Sequence, residues 1–149
     1  MNISSLRAAY ESGLSPINVV ESVYAAIEAY QDIDPYVWIY RRSKETLLAD
    51  ASALLSRFPD PSSRPPLFGI PFTLKDSIDV AGLPTTTGCP ALARTPAQSA
   101  PVYTLLIEQG ALFVGKTNME QLATGMTGCR SAYGTMHSVY HRDYIAGGS

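Results

Sequence analysis

The sequence predicts an α/β fold, and three observations carry that prediction. Two long stretches in the first half place apolar residues at helical spacing. A stretch beginning at Leu67 alternates with period two. A further helical stretch then leads directly into a short, wholly apolar run.

Residues 4–12 read as a short helix stopped by Gly13. Ser15 suits an N-cap and Pro16 the first helical position of the next one, where Val20, Val23, Tyr24 and Ile27 form one stripe. Pro35 breaks that helix, and "PYVWIY" is extended. "SKETLLADASALLSRF" is a second amphipathic helix, with Leu47, Leu48, Ala51, Leu54 and Leu55 on its buried side. Residues 59–66 form a polar, proline-rich connector. In "LFGIPFTLKDSIDVAG", Ile70, Phe72 and Leu74 share one face and Thr73 and Lys75 the other, as in a strand. "LPTTTGCPALARTP" is a turn-rich loop. "APVYTLLIEQG" is a helix ended by Gly110, and "ALFVG" a buried strand. "TNMEQLATG" reads as a short helix capped at Thr117 or Asn118, and the remainder is loop.

A chain of 149 residues is ample for a core, and by composition it is ordinary: 46% hydrophobic, 16% charged, mean hydropathy +0.02. A net charge of −2 and a pI near 5.6 argue against a nucleic-acid partner. The two cysteines, Cys89 and Cys129, form no CxxC pattern, so neither a disulfide framework nor a zinc site is expected. No apolar run approaches the roughly 20 residues of a membrane span. The N-terminus lacks the apolar centre of a signal peptide, and the expected location is the cytoplasm.

"GALFVGKT", Gly110–Thr117, fits the phosphate-binding pattern G-x-x-x-x-G-K-[ST]. The context is wrong. A P-loop needs an open loop between its glycines, with backbone N–H groups free to surround phosphate; here the intervening residues are themselves a strand. His137 and His141 read as exposed loop histidines. No G-x-S-x-G elbow offers either a serine to activate. With Asp143 they lack a fourth metal ligand, and no metal is expected. Lys75 is the sharper case. A lone strand lysine ordinarily faces solvent, and the residues alone favour that reading. Yet an apolar strand delivers it to a crowded polar end containing Asp76, Ser77 and Asp79. Were its ammonium buried, its pKa would fall and the amine could serve as a general base.

"PPLFGIPFTLKDSIDVAGLPTTTGCPAL", "APVYTLLIEQGALFVGKTNMEQLATG" and "YIAGGS" together resemble the amidase signature family. "SLRAAYESGLSP", "DPYVWIYR" and "ATGMTGCRSAYG" extend the resemblance toward its allophanate hydrolase branch. Ser77, Cys129 and Ala132 depart from that pattern, and none falls on a catalytic position. The resemblance implies the N-terminal part of an α/β/α fold with a mixed central sheet, incomplete in this chain. It divides the chain into a helical segment, 1–65, and the first part of the core, 66–149. It also implies a Ser–Ser–Lys triad that works without cofactor or metal. Lys75 matches the lysine, and Ser149 matches the bridging serine, commonly held in a cis peptide. Ala123, Thr124 and Gly125 match the wall of the acyl site. Arg130 either binds a substrate carboxylate or pins its loop, and pinning is the reading favoured.

The nucleophilic serine and the oxyanion-hole amides would lie beyond Ser149. The expectation is therefore that these 149 residues alone are inactive, a cut through the triad. The expected substrate is a small amide, allophanate in urea breakdown, or else another small amide. The expected full-length form is a homodimer or is linked to a biotin-dependent urea carboxylase. The rival expectation is a non-enzymatic remnant or interaction fragment exposing an apolar edge.

Overall fold

The computed structural model describes residues 2–149. Helix α1 (Ile3–Glu11) starts at Asn2, whose side chain accepts from Ser5 N–H while Ser5 Oγ accepts from the Asn2 amide. That reciprocal cap satisfies two otherwise orphaned donors. Gly13, at φ 100°, turns the chain into α2 (Pro16–Gln31), capped by Ser15 with Pro16 at its first position. Strand β1 (Trp38–Arg41) follows, then α3 (Lys44–Arg57), capped by Ser43, and β2 (Pro71–Lys75). Helix α4 (Pro101–Glu108) leads into β3 (Leu112–Thr117).

The three strands form one mixed sheet in the order β1-β3-β2, with β1 antiparallel and β2 parallel to β3. A parallel pair needs a crossover, and the segment containing α4 provides it. Central β3 is buried from Leu112 to Lys116, which is why "ALFVG" reads as continuous apolar sequence rather than alternating. Leu112 and Val114 pack against Val20 and Tyr24 of α2 and Leu47 and Ala51 of α3. Phe113 faces the opposite way, onto Leu74, Val80, Phe72 and Tyr103. A third cluster joins α1 to the chain before β2 through Leu6, Tyr10, Phe68 and Ile70. Burial of each such side chain contributes about 1.5–3 kcal/mol. Gly115 lets β1 cross close to β3, since a Cβ there would run into Tyr40 O and Arg41 Cα. No residue of α4 is buried, and Val102, Leu105 and Ile107 stay exposed.

One predicted element is corrected. "TNMEQLATG" is not a helix; it contains only a single 3₁₀ turn, Gln121–Ala123, with Leu122 and Ala123 at φ 55° and 54°. Thr117 ends β3. Asn118 is no cap: its side chain is buried and bridges Tyr36 O, Gly134 O, Met119 N–H and Ser131 Oγ. Tertiary polar anchors therefore override local helix propensity.

Candidate active site

The carboxyl ends of the parallel strands β2 and β3 lie side by side, with Lys75 opposite Thr117. Crevices beyond such strand ends are where open α/β sheets bind ligands. Asp76 follows Lys75 at once. It is fully buried, and its Oδ1 pairs with the equally buried Lys116 Nζ at 3.0 Å. Asp76 Oδ2 accepts from Thr86 N–H at 3.0 Å, Thr86 Oγ1 at 2.5 Å and Gly88 N–H at 3.4 Å. Lys116 Nζ also donates to Pro84 O and Thr85 Oγ1. Buried charges persist only when paired and hydrogen-bonded, and here each is both. The pair ties the end of β2 to β3 and to the loop at residues 84–88, fixing the backbone that carries Lys75. It also settles the phosphate-loop pattern: Lys116 is consumed by Asp76, and residues 112–117 are strand.

Ser149 reaches the same place from the far end of the chain. Gly147 and Gly148, at φ 78° and 96°, adopt a backbone that other residues rarely do. Gly148 N–H donates to Met126 O at 2.8 Å, and Ser149 O accepts from Glu120 N–H at 3.1 Å. Lys75 Nζ then donates to Ser149 Oγ at 2.8 Å, across 74 residues of sequence. The cis peptide expected at the bridging serine is absent: the described residues hold no cis bond, and the two glycines make the turn through positive φ instead. Nor is Lys75 buried as the general-base argument required. It is half-buried, and its hydrogen bond to Ser149 is exposed.

The segment that joins both arms is 120–130. Glu120 is fully buried, with Oε1 accepting from Arg130 Nε at 2.5 Å and Oε2 from Thr127 Oγ1 at 3.1 Å. The Arg130 guanidinium, foremost, together with Thr127 and the amides of Gly128 and Arg130, holds the Glu120 carboxyl below its ordinary value against the opposing effect of burial. Arg130 thus pins its loop. Ala123 ends the 3₁₀ turn and Thr124 follows as its C-cap, both exposed, and Gly125 lies beneath the Arg130 and Glu120 side chains with no room for a Cβ. None of the three hydrogen-bonds to Lys75 or Ser149 among the described residues; their neighbours Glu120 and Met126 hold the Ser149 segment instead. Leu122 N–H donates to Thr87 O at 2.8 Å, so three non-glycine residues at positive φ (Thr87, Leu122 and Ala123) interlock beside the site. Backbone strain of this kind clusters at functional sites.

His137 corrects another expectation. It is not an exposed loop residue: it is half-buried, with its Nδ1 3.5 Å from the buried Asp34 carboxylate. Sequence reading missed the roles of Asp34, Asp76, Lys116 and Glu120. The available signal was charge within apolar surroundings, as for Lys116 at the end of "ALFVGK".

The family model for Amidase matches residues 19–149. The urea amidolyase of Saccharomyces cerevisiae is 45% identical over 112 residues, covering 75% of this chain and 6% of the relative. The mandelamide hydrolase of Pseudomonas putida is 41% identical over 90 residues, covering 56% of this chain and 18% of that one. Among solved structures, Kluyveromyces lactis allophanate hydrolase superposes with a TM-score of 0.80 at 32% identity, over 100% of this chain and 24% of that chain. The chain therefore spans less than a quarter of the length of each of these relatives.

Proposed function

The chain belongs to the amidase signature family, and from that premise we propose that Lys75 and Ser149 are the base and the bridging serine of an amide-hydrolysing relay whose substrate is allophanate. The observation that carries the reading is the 2.8 Å contact between Lys75 Nζ and Ser149 Oγ, made across 74 residues. A hydroxyl both donates and accepts, so Ser149 can take a proton from an attacking serine while passing its own toward Lys75, the base that the family resemblance implies. That serine, on the family resemblance, lies beyond Ser149. Its oxygen adds to the amide carbonyl. The relay then runs in reverse to protonate the departing nitrogen as ammonia. Water next attacks the acyl-enzyme by the same route and releases N-carboxycarbamate, which decomposes to a second ammonia and two molecules of carbon dioxide. The preference for allophanate rests on the likeness to urea amidolyase and allophanate hydrolase. From the family resemblance the reading also takes a cytoplasmic setting and a full-length form that is a homodimer or is linked to a biotin-dependent urea carboxylase. Residues 1–149 hold two of the three relay groups, so by themselves they do not turn over.

Ammonia release by the native gene product, set against release by residues 1–149 alone, tests the reading. Expected are turnover of allophanate in preference to malonamide, loss of that turnover in Lys75→Ala, and none by residues 1–149. A native product that hydrolyses allophanate equally well with Lys75→Ala refutes the relay. One that prefers other small amides refutes the substrate.

A further inference from the structure

Residues 136–146 form a small hairpin that delivers Ser149. Ala146 N–H donates to Met136 O at 3.1 Å and Ser138 N–H to Tyr144 O at 2.9 Å, with His137 and Ile145 bridged between them. Gly147, Gly148 and Ser149 follow directly. Within this hairpin His141 and Asp143 are exposed, and among the described residues their only close ionic approach is to each other. Among the described residues, one group outside 136–146 hydrogen-bonds to the hairpin: the carboxylate of Asp34, 103 residues earlier. Asp34 is 2% exposed. Its Oδ2 accepts from His137 N–H at 2.7 Å, and its Oδ1 from Tyr36 N–H at 3.2 Å. It sits just beyond α2, with its own amide bonded to Tyr30 O. The carboxylate therefore joins the layer of helices that covers the sheet to the arm that carries Ser149.

We propose that Asp34 is a positioning residue that sets where Ser149 stands relative to Lys75, by holding the 136–146 hairpin through the His137 amide. Its importance for catalysis rests on the relay reading above; its geometric action does not. A buried carboxylate is suited to this work. A released hairpin would leave Oδ2 as a buried acceptor without its His137 donor, Tyr36 N–H remaining on Oδ1, so the seated hairpin is favoured over a released one. Asn118 anchors the preceding stretch in the same manner, donating to Gly134 O and accepting from Ser131 Oγ, so two buried polar side chains hold the path ahead of the Ser149 turn.

The test is amide hydrogen exchange by NMR on the 149-residue chain. Asp34→Ala should speed exchange of the Gly148 and Glu120 amides, which bond across to Met126 and Ser149, by about ten- to hundredfold. The Val114 amide in β3 should not change. Asp34→Asn keeps one carbonyl acceptor for His137 and should restore exchange to within about threefold of the parent. His137→Pro removes the amide donor and the nearby imidazole while leaving Asp34 intact, and should reproduce the alanine result; His137→Ala, which keeps the N–H, should leave exchange near the parent. Unchanged Gly148 and Glu120 exchange in Asp34→Ala overturns the proposal. So does acceleration that includes Val114, which would make Asp34 a general stabiliser, and so does an asparagine variant as loose as alanine. Failure of the relay reading would show in ammonia release and leave these exchange rates as expected.

Discussion

Replacing Lys116 with methionine keeps most of the side-chain volume and removes the charge that faces Asp76. The two groups are fully buried and 3.0 Å apart. Without Lys116, Asp76 retains only Thr86 and the Gly88 amide as donors, and Pro84 O and Thr85 Oγ1 lose the donor they share. Breaking a buried pair on one side costs about 3–5 kcal/mol, because the remaining charge stays desolvated. Against a typical domain stability of roughly 5–15 kcal/mol, that is a large share. The folded-to-unfolded ratio should fall by roughly 10²–10⁴-fold, and Tm by on the order of 10 °C. Urea unfolding followed by Trp38 fluorescence and by far-ultraviolet circular dichroism measures it. The double variant Lys116→Met/Asp76→Leu should recover most of the loss, since no lone charge is then buried. If Lys116→Met costs less than about 1 kcal/mol, or the double variant is as unstable as the single, the assignment of this pair as the clamp on β2 and β3 is wrong.

Gly115→Ala should cost about 1–3 kcal/mol in the same unfolding assay, because its Cβ has to displace the β1 backbone at Tyr40 and Arg41. Lys75→Ala, at a half-buried position with an exposed hydrogen bond, should change stability by no more than about 0.5 kcal/mol while abolishing ammonia release by the native product; a large stability loss would mark Lys75 as structural. Glu120 has its folded value depressed chiefly by Arg130, so its contribution is complete above the ordinary glutamate value of 4.5 and is lost as pH falls through the lower folded value. Stability measured from pH 7 down to pH 3 should therefore fall less steeply in Glu120→Gln than in the parent.

The helices and strands were legible because each rests on local sequence. Ser15-Pro16 and Ser43 start α2 and α3, and the stripes through Val20 and Leu47 mark their buried faces. The alternation around Phe72 and Leu74 announces β2, and the uninterrupted apolar run announces β3. Lys75 stood out by its place at a polar strand end, and Ser149 only by resemblance. Their meeting was invisible to spacing, since it depends on a hairpin seated on Asp34, far away in sequence. The segment after β3 failed as a helix for the same reason: Asn118 and Glu120 spend their side chains on Tyr36, Gly134, Ser131, Thr127 and Arg130, and the backbone turns to let them. Long-range polar contacts have no periodicity, so charged residues within apolar sequence were the sole trace of them.

The central claim is that Lys75 and Ser149 form one relay, and the Lys75 side-chain nitrogen reports on it directly. Its NMR resonance, recorded in the 149-residue chain at one fixed pH, should move when Ser149 is changed to alanine and stay in place when Ser138 is. A Lys75 resonance indifferent to Ser149→Ala would mean that the two groups do not share a proton, and the relay would have to be abandoned.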